Sequence, residues 1–152
     1  MIKINKYLGQ HFLIDKNIRN KIINIDNLYN EKVLEIGPGK GFLTDYIIEK
    51  KIKKLFLIEK DKNLSIELKK KFSDKIILIN DDVLKIDEKA LCKEKIIIFG
   101  NLPYNISTQI LAKWIKLKDL NLICKRLVLM FQKEVAERIT AECGNKNYGR
   151  LS

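Results

Sequence analysis

The sequence predicts an α/β fold with an open, mainly parallel sheet and Rossmann-like winding, and three observations carry this expectation. Short, nearly continuous apolar runs suit strands buried on both faces of a parallel sheet. Segments with helical spacing separate them in strict succession, which implies right-handed crossovers between parallel strands. No repeat, low-complexity linker or composition shift divides the 152 residues, so residues 1–152 are expected to form one domain, on a prior of roughly 150 residues each.

The elements follow in chain order. Ile18, Ile22 and Ile25 share a helical face, and Lys32–Ile36 is the first strand. It runs into Glu35-Ile36-Gly37-Pro38-Gly39-Lys40-Gly41, where glycines at alternate positions permit a tight turn and close approach of backbone to a ligand. A helix starts at about Phe42. Leu55–Glu59 is the second strand, Leu64, Leu68 and Phe72 mark a helix, and Ile76–Asn80 is the third strand, followed by Asp81-Asp82. Ile96–Asn101 is the fourth strand. Ile106, Ile110, Leu111, Trp114 and Ile115 give the next helical face, and Leu127–Phe131 is the fifth strand.

Composition narrows the function. Thirty Lys+Arg against nineteen Asp+Glu leave a formal net charge of +11, which points to a polyanionic partner, nucleic acid ahead of membrane. Only four of the thirty are Arg (Arg19, Arg126, Arg138, Arg150), and a drift of codon usage towards Lys, Ile and Asn gives the same balance without any such partner. No apolar run approaches the ~18–20 residues of a membrane span, and Met1–Lys6 carries no apolar core of a signal peptide. Cys92, Cys124 and Cys143 are widely spaced and odd in number, which speaks against a disulfide framework or zinc site and for a reducing cytoplasm. With His11 the sole histidine, histidine-based triads and metal sites are not expected.

In sheets of this class ligands bind at the carboxyl ends of strands. Glu59 follows Gly37 by twenty-two residues, a distance at which an acidic residue binds ribose hydroxyls. The loop spacing is G-x-G-x-G, and Glu35, Glu59 and Asp82 place carboxylates at three strand ends. That set repels the pyrophosphate of a dinucleotide and suits S-adenosylmethionine, whose sulfonium and ammonium outnumber its carboxylate. Helix capping is the plainer role for Asp61 or Asp82 taken singly.

Asn101-Leu102-Pro103-Tyr104 at the end of the fourth strand is the most specific feature. An amine conjugated to an aromatic ring is a poor nucleophile because its lone pair is delocalised. The Asn101 side-chain oxygen and the Pro103 carbonyl accept its two hydrogens and hold the lone pair towards a methyl donor. Tyr104 stacks on the base, worth ~1–3 kcal/mol. No general base is needed; positioning and electrostatics carry the catalysis.

Lys6-Tyr7-Leu8-Gly9-Gln10-His11-Phe12-Leu13, the Glu35–Gly41 loop, Asn101-Leu102-Pro103-Tyr104-Asn105-Ile106-Ser107, Gln132-Lys133-Glu134-Val135 and Tyr148-Gly149-Arg150-Leu151-Ser152 together resemble the ribosomal RNA adenine dimethyltransferase family, KsgA type. The resemblance implies a class I S-adenosylmethionine-dependent methyltransferase that dimethylates the exocyclic amines of two adjacent adenines near the 3′ end of small-subunit rRNA. By position it places cofactor contacts on His11, Leu13, Gly37, Glu59 (ribose), Asp82 (near the adenine) and Asn101, and the substrate-facing motif on Asn101 to Tyr104. His11 departs from the Asn usual in the bacterial pattern. The implied partner is small-subunit rRNA in a pre-ribosomal particle, with no membrane, no metal and a monomeric full-length protein in the cytoplasm.

Lys3, Lys6, Lys16 and Arg19 on one side, and Lys133, Arg138, Lys146 and Arg150 on the other, are expected to track phosphates beside the site. Lys50, Lys51, Lys53, Lys54 and the Lys69–Lys71 run are expected to be solvated surface at helix carboxyl ends. The family pattern continues beyond Ser152 with further strands and a helical domain, so the chain is expected to be a truncated catalytic domain with Leu127–Phe131 as an apolar sheet edge. Two rivals remain: a large-subunit rRNA adenine methyltransferase of the macrolide-resistance type, and a non-catalytic RNA-binding relative in ribosome assembly.

Overall fold

The computed structural model describes residues 13, 15–91, 94–102 and 106–152. His11, Cys92, Pro103 and Tyr104 lie outside the described residues. Helix α1 (Lys16–Ile23) leads into β1 (Lys32–Ile36), α2 (Phe42–Glu49), β2 (Lys54–Ile58), α3 (Lys62–Phe72) and β3 (Ile77–Ile79). After a 3₁₀ turn (Val83–Lys85) come α4 (Glu88–Leu91), β4 (Ile96–Asn101), α5 (Ser107–Ile115), α6 (Leu120–Ile123), β5 (Cys124–Met130) and α7 (Lys133–Ile139). Among the described residues the strands form one parallel sheet in the order β3-β2-β1-β4-β5. The winding reverses between β1 and β4, so the carboxyl ends of these two strands flank the switch point where α/β sheets take ligands.

Pleating sends alternate residues to opposite faces, and each face is covered. Val33, Leu55, Leu57, Ile97 and Phe99 pack with Ile22 and Ile23 of α1, Leu43 and Ile47 of α2, and Leu68 and Phe72 of α3. Leu34, Ile36, Phe56, Ile58 and Ile98 pack on the other side with Val83 of the 3₁₀ turn, Leu102, and Ile110 and Trp114 of α5. Two-sided burial is why these strands read as unbroken apolar runs.

Several details differ from expectation. In α1 the buried residues are Arg19, Ile22 and Ile23, while Ile18 and Ile25 are about half exposed. Arg19 explains the rotation: its Nη1 donates to the Phe42 carbonyl at 3.1 Å, and its guanidinium lies 4.7 Å from the centroid of the Tyr46 ring. It therefore pins α1 to the start of α2 rather than tracking phosphate on the surface. In α5 the buried positions are Ser107, Ile110 and Trp114, and Ile115 is exposed. Strand β5 begins at Cys124, earlier than expected, because Lys125 and Arg126 sit exposed on the sheet edge and pair with Glu31 and Asp26. Its later residues, Leu127 to Met130, are half-buried.

Candidate functional site at the carboxyl edge of the sheet

All three loop glycines after β1 have left-handed backbones: φ is 67° at Gly37, 59° at Gly39 and 75° at Gly41. A side chain is strained in this region. Gly41 is also the N-cap of α2 and is crowded: an added Cβ lies 2.5 Å from Cε2 and 2.9 Å from Cζ of Phe72. Gly41→Ala is therefore expected to destabilise the fold by about 1–3 kcal/mol. Chemical denaturation checks this, and an unchanged midpoint contradicts it.

Glu59, just past β2, organises that loop. Its Oε2 accepts the Gly39 N–H at 3.0 Å and its Oε1 accepts the Asp61 N–H at 2.9 Å. Its own carbonyl accepts Asn80 Nδ2 at 2.8 Å, while its N–H donates to the Ile79 carbonyl at 3.0 Å. The side chain is thus aimed at the glycine loop from a nearly buried position, 7% exposed. Burial raises its carboxyl above the usual range, against the lowering effect of the Asp61 and Gly39 amides. A carboxylate has about four acceptor positions, so two backbone donors leave room for a pair of ribose hydroxyls.

Glu35 corrects the charge argument. It lies in the central strand β1, buried, with Oε2 accepting the Thr44 hydroxyl of α2 at 2.6 Å. Burial pushes its carboxyl up to about 8, assisted by the charges of Glu59 and Asp45 and opposed by the Thr44 bond. At neutral pH it is protonated and adds no charge. The acidic part of the edge is therefore Glu59 and Asp82.

Asp82 precedes the 3₁₀ turn. Its Oδ1 caps that turn through the Leu84 N–H at 3.0 Å, and its Oδ2 pairs with Lys60 Nζ at 2.9 Å. Hydrogen bonding from Lys60, then from Leu84, holds its carboxyl below the usual range. The capping role expected of Asp82 taken singly is what the structure shows, at the carboxyl edge of the sheet, and Asp61 likewise caps α3 through Asn63 and Leu64.

The sheet brings Gly37, Glu59, Asp82 and Asn101 to one edge. Gly37 N–H donates to the Ile58 carbonyl at 2.9 Å, tying the glycine loop to β2. Asn101 ends β4, which pairs with β1 through Ile36 and Gly100, so it stands beside the glycine loop. Gly100, the residue before it, is crowded on the β5 side: an added Cβ would meet Leu102 Cδ2 at 2.7 Å and Leu129 Cδ2 at 2.9 Å. Leu13 is half-buried against the core on the α1–α3 face. On the other side of Asn101, which pairs with Met130 of β5, a groove of about 640 Å³ is lined by Phe131, Gln132, Lys133, Glu134 and Glu137. Sequence reasoning missed Thr44, the cap on Glu35, and Asn80, which holds the Glu59 backbone. Asn80 ends the expected third strand and was open to discovery by position; Thr44 carries no signal in the sequence. Among the described residues no group of three or more His, Cys, Asp or Glu is arranged to hold a metal, and no helix is long and apolar enough to cross a membrane.

The chain as a whole is similar to known proteins. The chain is 56% identical over 151 residues to ribosomal RNA small subunit methyltransferase A of Pelagibacter ubique (strain HTCC1062), covering 99% of this chain and 58% of that protein. It is 43% identical over 156 residues to the protein of the same name from Ehrlichia ruminantium (strain Gardel), again covering 58% of the relative. The chain thus spans somewhat over half the length of the curated relatives it matches. A crystal structure of a dimethyladenosine transferase from Plasmodium falciparum superposes with a TM-score of 0.79 at 34% identity, over 93% of this chain and 50% of that one. The 23S rRNA methyltransferase ErmE gives 0.72 at 25% identity, over 93% and 54%. The family model for ribosomal RNA adenine dimethylase matches residues 1–152, and the chain belongs to that family.

Proposed function

We propose that residues 1–152 are the catalytic domain of an S-adenosylmethionine-dependent rRNA adenine dimethyltransferase. Its substrate is the pair of adjacent adenines near the 3′ end of small-subunit rRNA, presented in a pre-ribosomal particle in the cytoplasm to a monomeric full-length protein. The observation that carries this reading is the joint placement of the Glu59-anchored glycine loop and Asn101 at neighbouring strand ends. The donor set fits the cofactor: Glu59 retains acceptor capacity for ribose hydroxyls, Asp82 presents a carboxylate for an adenine amine, and Gly37 brings backbone close without a side chain. When bound, S-adenosylmethionine supplies an electrophilic methyl group.

The chain's own residues do the rest by positioning. Asn101 accepts one hydrogen of the target amine through its side-chain oxygen, and the Pro103 carbonyl accepts the other. Tyr104 stacks on the target base, and His11 and Leu13 contribute cofactor contacts. Lys133, Arg138, Lys146 and Arg150, all exposed beyond β5, supply phosphate contacts.

The small-subunit assignment is favoured over the large-subunit rival by the higher similarity to small-subunit relatives. The test is transfer of labelled methyl from the cofactor to isolated ribosomal subunits by the full-length protein. Label in the small subunit is expected; label confined to the large subunit, or none, contradicts the reading. In the same protein Glu59→Ala is expected to weaken cofactor binding at least about a hundredfold, as two hydrogen bonds to a charged group are lost. Calorimetry that finds an unchanged affinity removes Glu59 from the site.

A further inference from the structure

We infer that Lys113 is a positioning residue of this site: it ties the helix following the Asn101 loop to the turn that carries Asp82, and so sets the preference for adenine over a purine lacking the exocyclic amine. The inference rests on the functional reading above, in which Asp82 faces the cofactor's adenine.

Lys113 lies in the second half of α5, three residues after Ile110 and one before Trp114, both fully buried against the sheet. From there its Nζ donates to the Val83 carbonyl at 2.6 Å and to the Ile86 carbonyl at 2.5 Å. These two carbonyls bracket the 3₁₀ turn. The turn closes itself unevenly: Lys85 N–H reaches the Asp82 carbonyl at 2.9 Å, whereas Ile86 N–H reaches Val83 only at 3.4 Å. An ammonium on two carbonyls is a charge-assisted clamp and exceeds that long bond in strength. Asp82 belongs to the clamped unit, because its Oδ1 caps the same turn at Leu84.

The clamp links two halves of the site across the sheet. Helix α5 begins at the buried Ser107, five residues after Leu102 in the chain, and its later half holds the Asp82 turn through Lys113. Val83, 5% exposed, and Trp114 pack in the same core layer, which fixes the spacing between the two elements. A carboxylate held at a fixed place accepts the exocyclic N–H of adenine and repels the carbonyl oxygen that hypoxanthine carries there. A carboxylate on a relaxed turn makes neither distinction.

The measurement is the ratio of dissociation constants for S-inosylhomocysteine and S-adenosylhomocysteine, by calorimetry on the full-length protein. Wild type is expected to prefer the adenosyl compound by about tenfold or more, as one hydrogen bond to a charged group is at stake. Lys113→Met is expected to bring the ratio close to one, and Lys113→Arg, which keeps a cationic donor, to restore it. A Met variant that keeps the wild-type ratio overturns the inference, and so does one that weakens both ligands equally, since that is merely loss of structure. If Lys113→Met does not fold, Lys113→Gln is measured in its place against the same two outcomes. A wild type that binds both compounds without preference overturns the role of Asp82 and Lys113 together. A wild type that binds neither contradicts the functional reading itself.

Discussion

Asn101→Ala is expected to lower methyl transfer by about 10²–10³-fold, the scale seen when one preorganised polar contact at a reacting centre is removed. The reason is geometric. In water the hydrogen-bond acceptors around an aromatic amine are not fixed relative to a methyl donor, and the site must supply two that are. Asn101 is the last residue of β4, with the end of β1 on one side and Met130 of β5 on the other, which places it to supply one of them under the proposed function. Cofactor binding stays measurable in the variant, because the Glu59 and glycine-loop contacts are untouched. Single-turnover transfer alongside calorimetry separates the two effects. Unchanged turnover removes Asn101 from the reacting centre, and loss of cofactor binding in step with turnover assigns it to the cofactor instead.

Glu35→Gln changes how stability depends on pH. The wild-type carboxyl ionises near 4.5 in the unfolded chain and is pushed up to about 8 in the fold, mainly by burial. Between those values the folded protein holds a proton that the unfolded chain has released. Stability contributed by this group is whole below 4.5 and is lost as pH rises through about 8, at up to about 1.4 kcal/mol per pH unit. Glutamine keeps the shape and the partner for Thr44 but cannot ionise. The difference in unfolding free energy between variant and wild type is therefore expected to grow in the variant's favour across this window. Denaturant titrations at its two ends measure it, and a constant difference contradicts the protonated state of Glu35.

The fold was legible where its chemistry is local. Strands in the middle of a parallel sheet are apolar on both faces, so Lys32–Ile36 and Ile96–Asn101 stand out by composition and match the structure at both ends. The edge strand β5 does not: its first residues, Lys125 and Arg126, face solvent and oppose acids far away in sequence, and only tertiary placement makes them strand. The face of α1 was hidden for a related reason. Apolar spacing selects Ile18, Ile22 and Ile25, whereas the buried face includes Arg19, whose charge is satisfied by a carbonyl and an aromatic ring on α2.

At the site, Gly37, Glu59 and Asn101 were visible as residue types at strand ends, and the structure puts them together. Glu35 was visible too, but as a charge. Its neutrality follows from lying in the central strand beneath Thr44, and a sequence does not display depth. Lys113 carried no signal at all, because the two carbonyls that it grips belong to every residue alike.

Under the proposed function, this edge of the sheet moves methyl groups onto exocyclic adenine amines of small-subunit rRNA. The direct measurement is mass analysis of nucleosides and mapped fragments from small-subunit rRNA after incubation with full-length protein and S-adenosylmethionine. N6,N6-dimethyladenosine at two adjacent positions near the 3′ end is the predicted result. Methylation at another base or in large-subunit rRNA, or tight RNA binding without any methylated product, would contradict it.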